Sequence, residues 1–262
     1  MTIQPNLKQI GFPYDDSVIH LFIGGSQLHG AKIDGTDDTD WYGVFIEPPE
    51  KALGTDAFEH FVYSTGTDRT KNNADDVDIC LYSLRKWAHL VCKGNPSVLH
   101  FLFAPPLDPP KITVEWAIMT LDLKPFIAKS HLSAFFGYAN AQLNRLYNAR
   151  GPKNVSRPFL EQQFGYDTKY AMHIIRLLGE AVELMRDGHI TLPRPNASEL
   201  REIREGKVKL YEIEKLSDSL MREAKDAQEK SGLPDTPDRK EISRRVACAY
   251  LERWRFASKH QP

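Results

Sequence analysis

Asp38 and Asp40 stand two residues apart at the mouth of an apolar run, Trp41-Tyr42-Gly43-Val44-Phe45-Ile46. On a strand, residues i and i+2 project to the same side, so these two carboxylates can converge on one cation. Such a pair suits a hard divalent ion with oxygen ligands, and magnesium in particular binds through a few carboxylates together with nucleotide phosphates. An exposed, solvated acidic turn, Asp34-Gly35-Thr36-Asp37-Asp38, is the plain alternative. A third carboxylate, Asp78, opens the run Ile79-Cys80-Leu81-Tyr82, where an unpaired charge near a core is costly and a metal would relieve the cost. Upstream lies Gly24-Gly25-Ser26-Gln27-Leu28-His29-Gly30. A glycine-serine turn leaves backbone N–H groups and a hydroxyl for a phosphate, although such turns are also common where they only change the chain's direction. Three carboxylates on neighbouring strands beside a phosphate-binding turn match a two-metal phosphoryl-transfer site, in which one ion activates the attacking hydroxyl and the other holds a triphosphate.

The elements that must position these groups follow from the apolar pattern. Val18 to Ile23 reads as a buried strand stopped by Gly24-Gly25, and Ser26 to Gly30 as one capped helical turn. Strands are expected at Trp41 to Ile46, closed by Glu47-Pro48-Pro49, at Phe58 to Tyr63 on a weaker pattern, and at Asp78 to Tyr82. Leu84, Trp87, Ala88 and Val91 fall at helical spacing, and Gly94-Asn95-Pro96 ends that helix. Pro105, Pro106, Pro109 and Pro110 mark the expected boundary between a catalytic unit, 1–110, and an α-helical unit, 111–262. In the second unit a helix is expected from Asp167, as cap, to Asp187, closed by Gly188, with Ala171, Ile174, Ile175, Leu178, Val182 and Met185 on one face. Further helices are expected at Ser133 to Asn148, Leu210 to Lys230 and Asp238 to Lys259.

Bulk properties narrow the class. The 262 residues carry 41% hydrophobic and 26% charged side chains, which is ordinary for a globular chain that folds without metal or disulfide staples. A net charge of -1 gives no global field for nucleic acid, so any polyanion must meet a local patch. Cys80, Cys92 and Cys248 show no ligand or disulfide spacing and read as reduced, mostly buried thiols. No apolar run is long enough for a membrane span, and the first residues lack the features of a signal peptide, so a cytoplasmic location is expected.

With Gly25-Ser26, Asp38-x-Asp40 and the lone Asp78 in place, the chain resembles the DNA polymerase beta nucleotidyltransferase superfamily. Within it, the chain is similar to the RNA-repair-pathway polymerase-beta family. The stretches GSQLHG, DTDWYGVFIEPPE, DICLYSLRKW, KGNPSVLHFLF and GYDTKYAMHIIRLLGEAVELMRDGHITLP carry the likeness. It implies an α+β fold, a small mixed sheet flanked by helices, with a helical bundle behind it. It also implies that Asp38 and Asp40 hold both metals, that Asp78 completes the ion at the acceptor hydroxyl, and that Gly25 and Ser26 cradle the triphosphate. The implied reaction moves a nucleoside monophosphate from an NTP or dNTP, ATP among them, to a hydroxyl and releases pyrophosphate. Magnesium is the expected ion, with manganese as its substitute. The acceptor is an RNA or DNA end, a protein or a small molecule, and the family's link with RNA repair favours an RNA 3′ end. Three positions depart from the family's usual Ser, Arg and Glu: Asp37, Tyr42 and His100.

Lys169, His173 and Arg176 form a row opposite the apolar stripe of their helix, a row that the resembling family shares. It suits a triphosphate or a nucleic-acid backbone. With Glu180 next along the row and able to pair with Arg176, it equally suits a solvated helix face. His29 either touches the nucleotide or hydrogen-bonds its own loop, and the loop is the expected partner. Tyr138, Gln142 and Arg145 are expected to pack as part of an amphipathic helix, and Trp87 and Trp254 to belong to the core. Two other readings remain open: a catalytically inert nucleic-acid-binding or scaffold protein that keeps the fold, and a two-metal phosphohydrolase.

Overall fold

A computed structural model describes residues 4–33, 35, 38–66, 76–107, 112–148 and 157–258. Strands β1 (Val18–Ile23), β2 (Thr39–Phe45), β3 (His60–Ser64) and β4 (Val77–Ser83) form one sheet in the order β1-β2-β4-β3. The outer pairs are antiparallel and the central β2/β4 pair is parallel, so the sheet is mixed, as expected. β3 starts two residues later than its apolar pattern suggests. Phe58 packs into a side cluster ahead of the strand, and ladder pairing begins where His60 meets Tyr82.

Side-chain alternation gives the sheet two buried faces. Leu21, Trp41, Phe45, Ile79 and Leu81 point to a small aromatic cluster closed by Leu7 and Phe12 of the N-terminal segment. Phe12 meets the rings of Phe45 and Phe61, each at 5.1 Å between centroids. The opposite face carries Phe22 and Val44 into the main core. Asp40, Tyr42, Asp78 and Cys80 belong to this second face by parity, so the carboxylates at the strand mouths turn toward the helices.

The helices are α1 (Gly25–Leu28), α2 (Pro49–Ala52), α3 (Leu84–Cys92), α4 (Pro96–Phe103), α5 (Val114–Thr120), α6 (His131–Asn148), α7 (Pro158–Phe164), α8 (Thr168–Asp187), α9 (Ala197–Arg204), α10 (Leu210–Lys230) and α11 (Arg239–Ser258). Ser83 starts α3 by accepting the Lys86 N–H at 3.3 Å. The Gly94-Asn95-Pro96 stretch that ends α3 also begins α4, since Asn95 accepts the Val98 N–H at 3.3 Å and Pro96 sits where a helix needs no amide donor.

Helix α8 is the axis of the helical half. The Asp167 side chain accepts the N–H groups of Lys169 and Tyr170 at 3.0 and 3.2 Å, and Gly188 closes the helix in the left-handed region at φ 66°. Its apolar stripe is buried as the spacing predicts, but so are Met172, Leu177, Ala181 and Leu184 around the rest of the circumference. A single core cluster runs from Phe22 and Trp87 at the sheet, through α8, to Ile242 and Tyr250 on α11. That cluster draws on residues from both sides of position 110; Pro109 and Pro110 lie outside the described residues.

Three packing expectations need correction. Tyr138 and Arg145 lie on the exposed side of α6 and Gln142 only at its margin, because Leu132, Phe135, Ala139 and Leu146 make its buried stripe. The Tyr138 hydroxyl accepts instead from the Asn95 side chain at 2.8 Å. The cysteines are free, as expected, but each is only half-buried. Trp87 is fully enclosed, while Trp254 is a partly buried neighbour of the core whose Nε1 donates to the Glu47 carbonyl at 3.1 Å.

Candidate active site

The turn after β1 is built by close approach. The Gly24 N–H donates to the Asp40 carbonyl at 2.8 Å, which pins the turn against the start of β2. A Cβ on Gly24 would lie 2.1 Å from the Tyr42 ring, and one on Gly25 would lie 1.7 Å from Asp40 Oδ2. Gly25 also holds φ at +57°, a conformation that L side chains rarely adopt. Both glycines are therefore demanded by the geometry, and the backbone of the turn touches a carboxylate of the candidate metal set.

β2 and β4 bring the carboxylates together. Asp40 and Asp78 are register partners across the parallel pair, with Thr39 opposite Val77. Asp38 lies just before β2, two residues from Asp40. One ligand oxygen from each of Asp38, Asp40 and Asp78 falls within 4.8 Å of the others, and all three residues are half-buried. The donors are all oxygens, half-buried and bordered by the Gly25 backbone, which fits a hard divalent ion. Asp37 lies outside the described residues.

Two cavities meet at this cluster. A cleft of about 250 Å³ is lined by Gly25, Ser26, Asp38 and Asp40 on one side and by Lys169, His173 and Arg176 on the other. A second hollow of about 230 Å³ is lined by Asp40, Tyr63, Ser64 and Asp78, toward β3. Asp38 faces the first, Asp78 the second, and Asp40 and Tyr42 border both. Burial raises the Tyr42 hydroxyl pKa, and the nearby Asp40 adds to the rise, so the phenol is neutral.

The solvated-face reading of the cationic row does not hold, since the row forms a wall of the cleft. Arg176 is only 8% exposed and donates through Nη1 to both oxygens of the fully buried Glu180, at 2.9 and 3.1 Å. Burial lowers the pKa of His173 well below the ordinary range, and Arg176 and Lys169 lower it further. Its imidazole is thus neutral at pH 7, and the fixed charge of the row belongs to Lys169 and Arg176.

His29 does not chiefly serve its own loop. It ends α1 as its C-cap, is buried, and brings Nδ1 to 3.4 Å from Glu180 Oε1 without a hydrogen bond. Burial, reinforced by Arg176, depresses its pKa well below 6.5. His100 on α4 packs its ring 4.8 Å from that of His29, and its Nε2 donates to Glu180 Oε2 at 3.1 Å. Sequence reading singled out His100 only as a departure from a family pattern. It missed Arg204 of α9, which lines the cleft and whose Nη1 donates to the Ala31 carbonyl at 3.2 Å. The short, polar run of α9 carries little period to announce it.

The site thus combines a mixed sheet, carboxylates at the mouths of two parallel strands and a glycine-serine turn beside them. The model of the RNA repair pathway DNA polymerase beta family matches residues 1–245, and the chain belongs to that family. An uncharacterized 38.9 kDa protein from the nrdC-mobD intergenic region of Enterobacteria phage T4 is 27% identical over 134 residues. The match takes in 49% of this chain and 38% of that relative's length, so the chain spans well under half of it. A nucleotidyltransferase-like protein from Exiguobacterium sibiricum 255-15 is similar at 11% identity, over 94% of this chain and 77% of that one, with a TM-score of 0.29. No helix among the described residues is long and apolar enough to cross a membrane.

Proposed function

We propose that the protein is a nucleotidyltransferase that moves a nucleoside monophosphate from a nucleoside triphosphate to an acceptor hydroxyl and releases pyrophosphate. The observation that carries this reading is the meeting of Asp38, Asp40 and Asp78 between two cavities, one bordered by the glycine-serine turn and cations, the other by strand β3. Family membership supports the same class of reaction.

Asp38, Asp40 and Asp78 would hold divalent cations, magnesium or in its place manganese, which when bound neutralise phosphate charge and lower the pKa of an attacking hydroxyl. Gly25 and Ser26 offer backbone N–H groups and a hydroxyl to the phosphates on one side of the cleft. Lys169 and Arg176, with neutral His173 as a hydrogen-bonding partner, face them from the other. The acceptor enters by the Asp78 side, and its oxygen displaces pyrophosphate at the α-phosphorus. This assignment gives residues 1–110 the carboxylate wall and residues 111–262 the cationic one. An RNA 3′ end is the acceptor we favour, on the family's connection with RNA repair. Three free thiols agree with a cytoplasmic setting.

Incubation with magnesium and each α-labelled triphosphate, with RNA, DNA, protein and small-molecule acceptors, tests the reading. A transferase gives pyrophosphate and a labelled acceptor. Free nucleotide without a labelled acceptor would mark a phosphohydrolase, and intact triphosphate an inert scaffold.

A further inference from the structure

Behind the cleft, His29, His100 and Glu180 place their ligand atoms within 4.8 Å of one another, and all three are buried. The spacing fits a metal ion, but the charge does not. Both Glu180 oxygens already accept from the Arg176 guanidinium, and Oε2 also accepts from His100. Burial works against ionisation of Glu180, yet Arg176 and then His100 keep its carboxyl well below the ordinary carboxylate range. A cation entering here would have to displace a guanidinium that neutralises the same carboxylate.

The orphan atoms point elsewhere. Among the described residues, Arg176 Nε and His29 Nδ1 are buried without a hydrogen-bond partner, and both residues line the cleft. Both atoms belong to side chains that converge on Glu180, Arg176 by hydrogen bonds and His29 by an approach of 3.4 Å. The three side chains around Glu180 come from separate elements: His29 caps α1, the helix of the glycine-serine turn; His100 sits on α4; Arg176 shares α8 with Glu180. One carboxylate therefore lies between the two walls of the cleft, bonded to Arg176 and His100 and approached by His29.

Resting on the reading of the cleft as a triphosphate site, we infer that Glu180 is a positioning residue. It clamps Arg176 at the phosphate wall and, through His100 and the His29 ring packed against it, fixes the distance between that wall and the glycine-serine turn. The carboxylate does not touch the ligand; it acts through the side chains it holds.

Calorimetric titration of inorganic tripolyphosphate with magnesium into the full chain tests this. Glu180→Gln should weaken binding about tenfold, and Glu180→Asp, which keeps the charge on a shorter stem, only about threefold. Arg176→Gln and the double variant Arg176→Gln/Glu180→Gln should bind alike, because one residue acts through the other; additive losses would reveal mere destabilisation and overturn the assignment. If Glu180→Gln fails to fold, the Glu180→Asp loss and the Arg176 pair still decide the question. Wild-type affinity in the Glu180 variants would overturn the positioning role alone, whereas no binding by the wild type would remove the triphosphate reading with it. A tightly held metal in the purified chain that His100→Ala releases would also overturn the inference.

Discussion

Among the described residues, two clusters have the ligand spacing of a metal site, and they differ in almost every other respect. Asp38, Asp40 and Asp78 are half-buried at the mouths of two parallel strands and face two cavities. His29, His100 and Glu180 are buried and carry a guanidinium on their single carboxylate. Spacing alone does not identify a cation site. The charge at the first cluster is concentrated at the border of two cavities, and that at the second meets a guanidinium inside the protein. We read the first as a site for ions and the second as a support for the cleft wall.

The largest effect expected from breaking this contrast is at the first cluster. Asp40→Asn should lower transfer on the order of 1000-fold, several kcal/mol of transition-state stabilisation, with an unchanged melting curve. Full activity in that variant would reassign the cluster. Asp78→Asn should lose turnover about as severely while keeping most triphosphate affinity, because Asp78 faces only the second hollow. Equal loss of affinity and turnover in a titration would refute that division. Gly25→Ala drives a Cβ into Asp40 at a positive φ. A loss of about 100-fold in activity, with about 1–3 kcal/mol of destabilisation in urea unfolding, is expected. Lys169→Ala, at the rim of the wall, should raise the Michaelis constant for triphosphate about tenfold. An unchanged constant would detach that residue from the ligand.

The smallest effect sharpens the contrast from outside both clusters. His131, at the start of α6 with both ring nitrogens unpaired, has its pKa lowered by burial to about 4. Its unfolded value is near 6.5, so between pH 6.5 and 4 the unfolded chain binds more protons, and the stability present above that window is lost as the pH falls. By pH 5 the loss from this residue is about 2 kcal/mol. Urea midpoints measured from pH 7 to 5 should fall, and fall less in His131→Gln; identical slopes would show that His131 takes up its proton alike in the folded and unfolded chain.

Much of the fold was legible. The period of residues 168–187, with Asp167 and Gly188 as punctuation, gave α8 to the residue, and β1 and α10 were equally plain. The convergence of Asp38 and Asp40 followed from strand parity, whereas the register that sets Asp78 beside Asp40 is a property of the folded β2/β4 pair. The surroundings of the cationic row were not legible. A helical pattern shows which face is apolar, but not that the other face meets His29 and His100, which lie far away in the chain. For the same reason Glu180 read as a surface partner for Arg176, whereas the fold encloses it completely. Helices α7 and α9 escaped notice because each is too short to show a helical period.

A crystal grown with manganese and a non-hydrolysable triphosphate bears most directly on the central claim. The predicted result is anomalous density between the carboxylates of Asp38, Asp40 and Asp78, with the phosphates running from Ser26 toward Arg176. Manganese bound instead among His29, His100 and Glu180, with the aspartates left without an ion, would contradict it.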